Sequence, residues 1–135
     1  MNEHNTSGRA PGFRWEPFHT ISLPNGLTIL VREHRTAPLF VSDIWVRAGS
    51  RHEIPETNGI AHFLEHTLFK GTPTRGVGAI AREIESFGGR TNAGTSLDYT
   101  HYYISGEKVH LDKALEIHAD VIRRSVLDPA AVDAE

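Results

Sequence analysis

Cysteine is absent from the 135 residues of this chain, and its absence removes several kinds of chemistry. Disulfide bonds, a thiol nucleophile and a thiolate metal site are all excluded. Long apolar runs are missing too: no segment could span a bilayer, and residues 1–18 lack the apolar core of a signal peptide. We therefore expect no membrane partner and a cytoplasmic location, with which the lack of cysteine is compatible.

A strong excess of one charge is also lacking. Lys and Arg total 14, Asp and Glu total 17, and the formal net charge is −3. Surfaces that bind nucleic acid usually carry an excess of basic residues, so we expect no nucleic-acid partner. The length and the apolar content of 39% suit one globular domain or part of a larger one.

The most informative residues present are His62, Glu65 and His66, which stand in the order H-x-x-E-H. On a helix, residues four apart share a face and residues three apart flank it, so both imidazoles can bind one metal ion beside the carboxylate. Two imidazoles at this spacing suit zinc, and the carboxylate suits a general base for a zinc-bound water. The bare pattern also occurs by chance, so by itself it leaves open a solvated helix face with no ligand role.

The surroundings of the motif resemble the pitrilysin family of metallopeptidases, which includes insulin-degrading enzyme and the mitochondrial processing peptidases. The resemblance covers nearly everything from about His19 onward, in the same order. It is carried by Gly59-Ile60-Ala61-His62-Phe63-Leu64-Glu65-His66-Thr67-Leu68-Phe69-Lys70-Gly71-Thr72 and by shorter runs at 25–28, 47–53, 87–89, 91–96 and 100–103.

The resemblance implies a zinc-dependent endopeptidase that hydrolyses peptide bonds of extended or unfolded polypeptides. His62 and His66 would hold one zinc ion, and Glu65 would activate its water without being a ligand. The third protein ligand would be a glutamate of a later helix, beyond Glu135. Glu135 would match the first glutamate of that helix and support the site.

The segment 91–95 is the expected substrate-binding strand. In similar proteins this strand pairs with the extended peptide, which assigns substrate-binding roles to Asn92, Ala93 and Thr95. The residues alone also allow an edge strand entering a turn, with no ligand.

We expect residues 1–17 to be a flexible leader. Residues 18–135 would form the N-terminal part of a metallopeptidase catalytic domain, truncated before its end. The family builds its chamber from two homologous halves, so a second homologous domain or subunit is an expected partner. The alternatives are a non-catalytic peptide-binding or scaffold subunit, although such subunits usually lack an intact motif, and a fragment that is inert in isolation.

The hydrophobic pattern predicts an α+β fold, with a mostly antiparallel sheet and helices packed on one side. Asn25-Gly26 between two short apolar runs predicts a β-hairpin. Further strands are predicted over 39–47, 90–95 and 99–106. Helices are predicted over 59–69, 77–87 and 109–125, with another beginning at Pro129.

Several side chains carry more detailed expectations. Thr57 or Asn58 is predicted to cap the motif helix. The residues of that helix predicted to pack inward are Ile60, Phe63, Leu64 and Leu68. Trp15 and Trp45 are interpreted as core or near-core residues, and His110 and His118 as exposed. Arg51 and Glu53 could orient the site or could form a surface pair; the sequence does not separate these.

Overall fold

The computed structural model describes residues 17–133, which fall into two units divided after Ala37. In the first unit, β1 (His19–Ser22) and β2 (Thr28–Val31) pair antiparallel as the predicted hairpin. Gly26 has φ +88°, a left-handed conformation that glycine adopts without strain. The expectations for residues 1–16, Trp15 included, and for Glu135 lie outside the described residues.

The second unit contains an antiparallel sheet of β3 (Leu39–Val46), β4 (Arg90–Thr95) and β5 (Thr100–Glu107). The strand order is β3-β5-β4, so within the described residues β5 is central and β4 lies at an edge. The register pairs Thr95 with Thr100 and Val46 with Thr100 across the two ladders. The predicted strand positions and the antiparallel arrangement are confirmed.

Four helices accompany the sheet: α1 (Ile60–Leu68), α2 (Ala79–Ser86), α3 (Leu111–Arg124) and α4 (Pro129–Asp133). Short 3₁₀ turns lie at Ser50–His52, Pro55–Thr57 and Lys108–His110. No helix in the described part of the chain is long and apolar enough to cross a membrane.

The core lies between the first three helices and one face of the sheet, as the predicted fold class requires. Its buried residues are Leu68, Ile80, Ile84, Tyr102, Ile104, Ala114, Ile117 and Val121. Successive strand residues point to opposite faces, so Tyr102 and Ile104 face the helices while His101 and Tyr103 lie on the other face.

A buried ionic cluster ties the turn after α1 to α2 and α3. The guanidinium of Arg75 contacts Glu83 at 2.6 Å, Asp120 at 2.5 Å and Glu116 at 2.9 Å. Burial alone raises the pKa of Asp120, but hydrogen bonds from Thr72, Arg75 and a neighbouring threonine outweigh it and lower that pKa to about 2. Buried charges persist when they are paired in this way, so the cluster holds the turn at Thr72 and Arg75 against α2 and α3.

Three side-chain expectations are wrong here. His118 is buried, because it lies within the apolar stripe of α3 rather than outside it, and His110 is half-buried against Phe87. Trp45 is 59% exposed, because its register position places it on the face of the sheet opposite the helices. There it stacks on His101 with ring centroids 4.9 Å apart.

Candidate metal centre

The N-cap residue of the motif helix α1 is a glycine, so the side chain that caps the helix comes from another residue. Gly59 has φ +96°, and neither Thr57 nor Asn58 caps the helix with its side chain, so that prediction is wrong. Instead, the Glu53 carboxylate accepts hydrogen bonds from the backbone N–H of Gly59 at 2.7 Å and of Ala61 at 2.9 Å. These bonds satisfy donors that a helix leaves unpaired at its first turn.

Glu53 is therefore a residue that orients the motif helix. The hydrogen bond from Gly59, and to a lesser extent that from Ala61, holds the pKa of the Glu53 carboxyl below its usual range. The carboxylate therefore stays negatively charged beside the N-terminus of α1, the positive end of the helix dipole. Arg51 does not pair with it but lies 3.0 Å from Asp98. Of the two possibilities that the sequence left open, the structure gives Glu53 the orienting contact and Arg51 the surface pair.

The two histidines of the motif meet as their spacing predicts. Their Nε2 atoms are 3.1 Å apart, and their rings lie nearly perpendicular, with centroids 4.6 Å apart. Two nitrogens bound tetrahedrally to one zinc, each at about 2.05 Å, would stand about 3.3 Å apart. Both side chains are exposed, so His62 and His66 are accessible to an ion and need move little to share one.

The described residues supply only part of a metal site. No group of three His, Cys, Asp or Glu within residues 17–133 is arranged to hold an ion. Zinc sites in proteins usually have at least three protein ligands. The histidine pair therefore fits zinc as two of its ligands, and the expected third ligand beyond Glu135 stays a prediction.

Glu65, which lies between the two histidines in sequence, contacts the sheet. It is half-buried, and its Oε2 atom accepts a hydrogen bond of 2.7 Å from the Thr95 hydroxyl at the end of β4. The side of α1 that faces the sheet consists of Ala61, Glu65 and Leu68, which are spaced by four and three residues. The hydrogen bond between β4 and α1 thus fixes the position of Oε2 of Glu65.

The predicted apolar face of α1 is wrong for three of its four residues. Ile60, Phe63 and Leu64 are 55%, 38% and 41% exposed, and only Leu68 is buried. The helix carries apolar residues on more than one side, so hydrophobic spacing does not select which side packs. Glu65 lies half-buried on a side that packs, and the Thr95 hydroxyl supplies the hydrogen-bond donor that a half-buried carboxylate needs.

The predicted substrate strand is β4, and its residues differ in their surroundings. Asn92 is exposed, and its Oδ1 atom accepts from the backbone N–H of Ala93, which packs against the core. Thr95 alone of the three predicted residues contacts the motif through its side chain. Since β4 pairs only with β5 among the described strands, its other edge is available to an extended peptide.

A close backbone contact joins the end of β4 to the segment that carries Glu53. The N–H of Ser50 bonds to the Ser96 carbonyl at 3.2 Å, and that of Arg51 to the Leu97 carbonyl at 2.9 Å. A Cβ added at Gly49 would lie 2.3 Å from the Ser96 oxygen, so only glycine fits. The one signal for this junction in the sequence is Gly49 itself, because a glycine after a strand indicates a close approach of backbone.

The site thus combines a histidine pair, a carboxylate on the same helix that is anchored to β4, and a strand edge that has no partner among the described strands. The sequence model of the family described as Insulinase (Peptidase family M16) matches residues 28–135. The chain belongs to this family.

Named relatives support the same assignment. The chain is 41% identical over 114 residues, 84% of its length, to a probable mitochondrial-processing peptidase subunit beta of Arabidopsis thaliana. It is 42% identical over 104 residues, 77% of its length, to an uncharacterized zinc protease, YmxG, of Bacillus subtilis. It covers 22% and 25% of these two proteins, so the chain spans about a quarter of the length of such relatives.

A solved structure shows the same fold. A protease from Helicobacter pylori superposes with a TM-score of 0.82 at 33% identity, over 87% of this chain and 28% of the protease. This likeness confirms the α+β arrangement predicted from the sequence.

Proposed function

We propose that the intact protein is a zinc-dependent endopeptidase in which His62 and His66 are two of the metal ligands and Glu65 is the general base. The observation that carries the proposal is the geometry of α1: a histidine pair 3.1 Å apart beside a carboxylate anchored through one oxygen. Membership of the insulinase family and a relative named a zinc protease support both the reaction and the metal.

When bound, zinc supplies a Lewis acid that polarises a peptide carbonyl and makes a water molecule more acidic. Three residues of this chain have roles in metal binding and proton transfer. His62 and His66 bind through Nε2, and Glu65 takes a proton from the attacking water and later gives one to the leaving amine. Oε2 accepts from Thr95, which leaves Oε1 without that contact and available to receive this proton.

The substrate is an extended or unfolded polypeptide. Its backbone would pair with the free edge of β4, along Asn92, Ala93 and Thr95, and so lie beside α1. Main-chain pairing predicts little sequence discrimination along the strand itself. A second homologous domain or subunit would enclose the peptide; the names of several relatives as subunits support such a partner.

A second candidate function is a non-catalytic scaffold or peptide-binding subunit. It is supported by a bovine relative, 36% identical over 84% of this chain, that is named subunit 1 of the cytochrome b-c1 complex. The intact His62, Glu65 and His66 favour the peptidase, because a scaffold has no need of an anchored base beside a histidine pair.

The deciding experiment is the substitution Glu65→Gln in the intact protein. We expect hydrolysis of a fluorescent unfolded polypeptide to fall by about 10²–10⁴-fold, because the amide cannot take the proton. Zinc content should stay unchanged, whereas His66→Ala should lose both zinc and activity. Glu56→Gln, an exposed change just before the helix, is the matched control.

Two results would overturn the proposal. Unchanged hydrolysis in Glu65→Gln would show that Glu65 is not the general base. An intact protein that binds one zinc per chain and cleaves no unfolded polypeptide would favour the scaffold function instead.

A further inference from the structure

The hydroxyl of Thr95 makes a contact that a substrate-binding role does not explain. It is the last residue of β4, yet its Oγ1 atom donates to Glu65 of α1, thirty residues away in sequence, at 2.7 Å. This length is ordinary for a hydrogen bond from a hydroxyl to an oxygen acceptor. The side chain therefore points to the catalytic carboxylate and not to the free edge of the strand, where peptide would pair.

The donor is held more rigidly than the acceptor. Threonine is stiff at χ1, and Thr95 lies in the ladder opposite Thr100, whose own hydroxyl bonds to the Ala48 carbonyl at 2.9 Å. A glutamate side chain on a helix has three rotatable bonds and adopts several rotamers when unconstrained. The hydrogen bond between Thr95 and Glu65 therefore restricts the Glu65 carboxylate to the position that the strand allows.

Anchoring of this kind matters most for a proton acceptor. A general base works when its receiving atom stands within hydrogen-bond reach of the proton, and small displacements lower the rate steeply. With Oε2 engaged by Thr95, rotation about the last side-chain bond is restricted, and Oε1 keeps a fixed position. The strand that would bind the peptide then also locates the base.

We propose that Thr95 is a positioning residue for Glu65, which fixes the carboxylate through its hydroxyl and so links the peptide-binding strand to the proton-transfer step. The inference rests on the proposed function, in which Glu65 is the base. It adds a side-chain role to the main-chain pairing with substrate that the resemblance implies for Thr95.

The chain offers a matched set of variants. Thr95→Val keeps the shape and strand preference but removes the hydroxyl, and Thr95→Ser keeps the hydroxyl. Thr28→Val is the control: Thr28 is an exposed threonine of β2, outside β4 and the motif helix, and it receives the same hydroxyl-removing change.

In the intact protein, we expect Thr95→Val to lower kcat by about 10–100-fold with KM nearly unchanged, and Thr95→Ser to restore most of the rate. Thr28→Val should retain the wild-type rate. A readout without catalysis is the crystal structure of the metal-free variants: Glu65 should occupy several rotamers in Thr95→Val and one in Thr95→Ser. If Thr95→Val does not fold, Thr95→Ala serves in its place.

The outcomes separate this inference from the proposed function. If Glu65→Gln abolishes hydrolysis while Thr95→Val keeps the full rate, only the role of Thr95 is wrong. A rise in KM at constant kcat would assign the Thr95 side chain to substrate binding, and an equal loss of rate in Thr95→Ser would indicate general damage to the strand and not loss of the hydroxyl. Hydrolysis that persists in Glu65→Gln would remove the proposed function itself.

Discussion

Mild acidification should destabilise this fold through one histidine, His118. Its side chain is 1% exposed, in the middle of the apolar stripe of α3. Nδ1 lies 3.0 Å from the Ser42 hydroxyl of β3, and Nε2 has no hydrogen-bond partner. A proton added to Nε2 would place a charge in the core with nothing to receive the new N–H.

The size of the stability loss follows from the difference between the pKa of His118 in the folded and in the unfolded chain. Burial lowers the pKa of His118 from 6.5 to about 4, and the charge of Asp43 opposes this only in part. Because the folded-state pKa lies below the unfolded one, the unfolded chain binds more protons between these values. Stability is therefore complete above about pH 6.5 and falls as the pH drops toward 4. The loss between pH 7 and pH 5 is about 2 kcal/mol, at about 1.4 kcal/mol for each pH unit.

The assay compares wild type with His118→Gln, which keeps a hydrogen-bonding group near Ser42 and cannot titrate. Urea unfolding would be followed by circular dichroism at pH 7 and pH 5, with a chelator present so that metal release does not contribute. Wild type should lose about 2 kcal/mol more than the variant between these two pH values. His110→Gln, a change at the N-terminal end of the same helix, should behave as wild type.

Equal losses in wild type and in His118→Gln would refute the reasoning, because the titrating group would then lie elsewhere. A direct check is an NMR titration of the His118 imidazole. A measured pKa near 6.5 would mean that the folded protein solvates this ring, contrary to its buried position.

Two further predictions concern the supports of α1. Glu53→Ala should weaken zinc binding in the intact protein, measured by competition with a chromogenic chelator, because the first turn of the helix loses its cap; the exposed Glu56→Ala should not. Gly49→Ala should cost about 1–3 kcal/mol of unfolding free energy, since its Cβ would meet the Ser96 carbonyl, and Gly76→Ala, where nothing lies within 4 Å, should unfold as wild type does. Unchanged zinc affinity or an unchanged urea midpoint would contradict the respective prediction.

The sequence was sufficient wherever a local signal determines structure. Asn25-Gly26 between apolar runs specified the hairpin, and alternation specified the three strands that form the sheet. The helical spacing of His62 and His66 brought their Nε2 atoms together, because positions four apart lie on one face whatever the helix packs against.

The contacts that the sequence could not predict are all non-local. Thr57 and Asn58 are adjacent to the helix and chemically suited to cap it, yet the cap comes from Glu53, whose reach depends on the path of the intervening loop. The orientation of α1 likewise depends on Thr95, a residue of a later strand. His118 offered a signal that was overlooked: it lies in an apolar stripe with Ile117 and Val121.

These non-local contacts also explain why the five motif residues alone do not define an active site. A helix carrying H-x-x-E-H presents two imidazoles to an ion by its own geometry, but the position of its carboxylate relative to a bound peptide is not a property of the helix. Here α1 is joined to β4 by the Thr95–Glu65 bond, and the segment that carries Glu53 bonds both to the start of α1 and, at Ser50, to Ser96 beyond β4. Because strand and helix are held at both points, a peptide seated on β4 would meet the base in one fixed geometry. Any change that loosens either connection should therefore lower the rate of hydrolysis, and a change at Glu53, which caps the helix that carries both histidines, should lower zinc affinity as well.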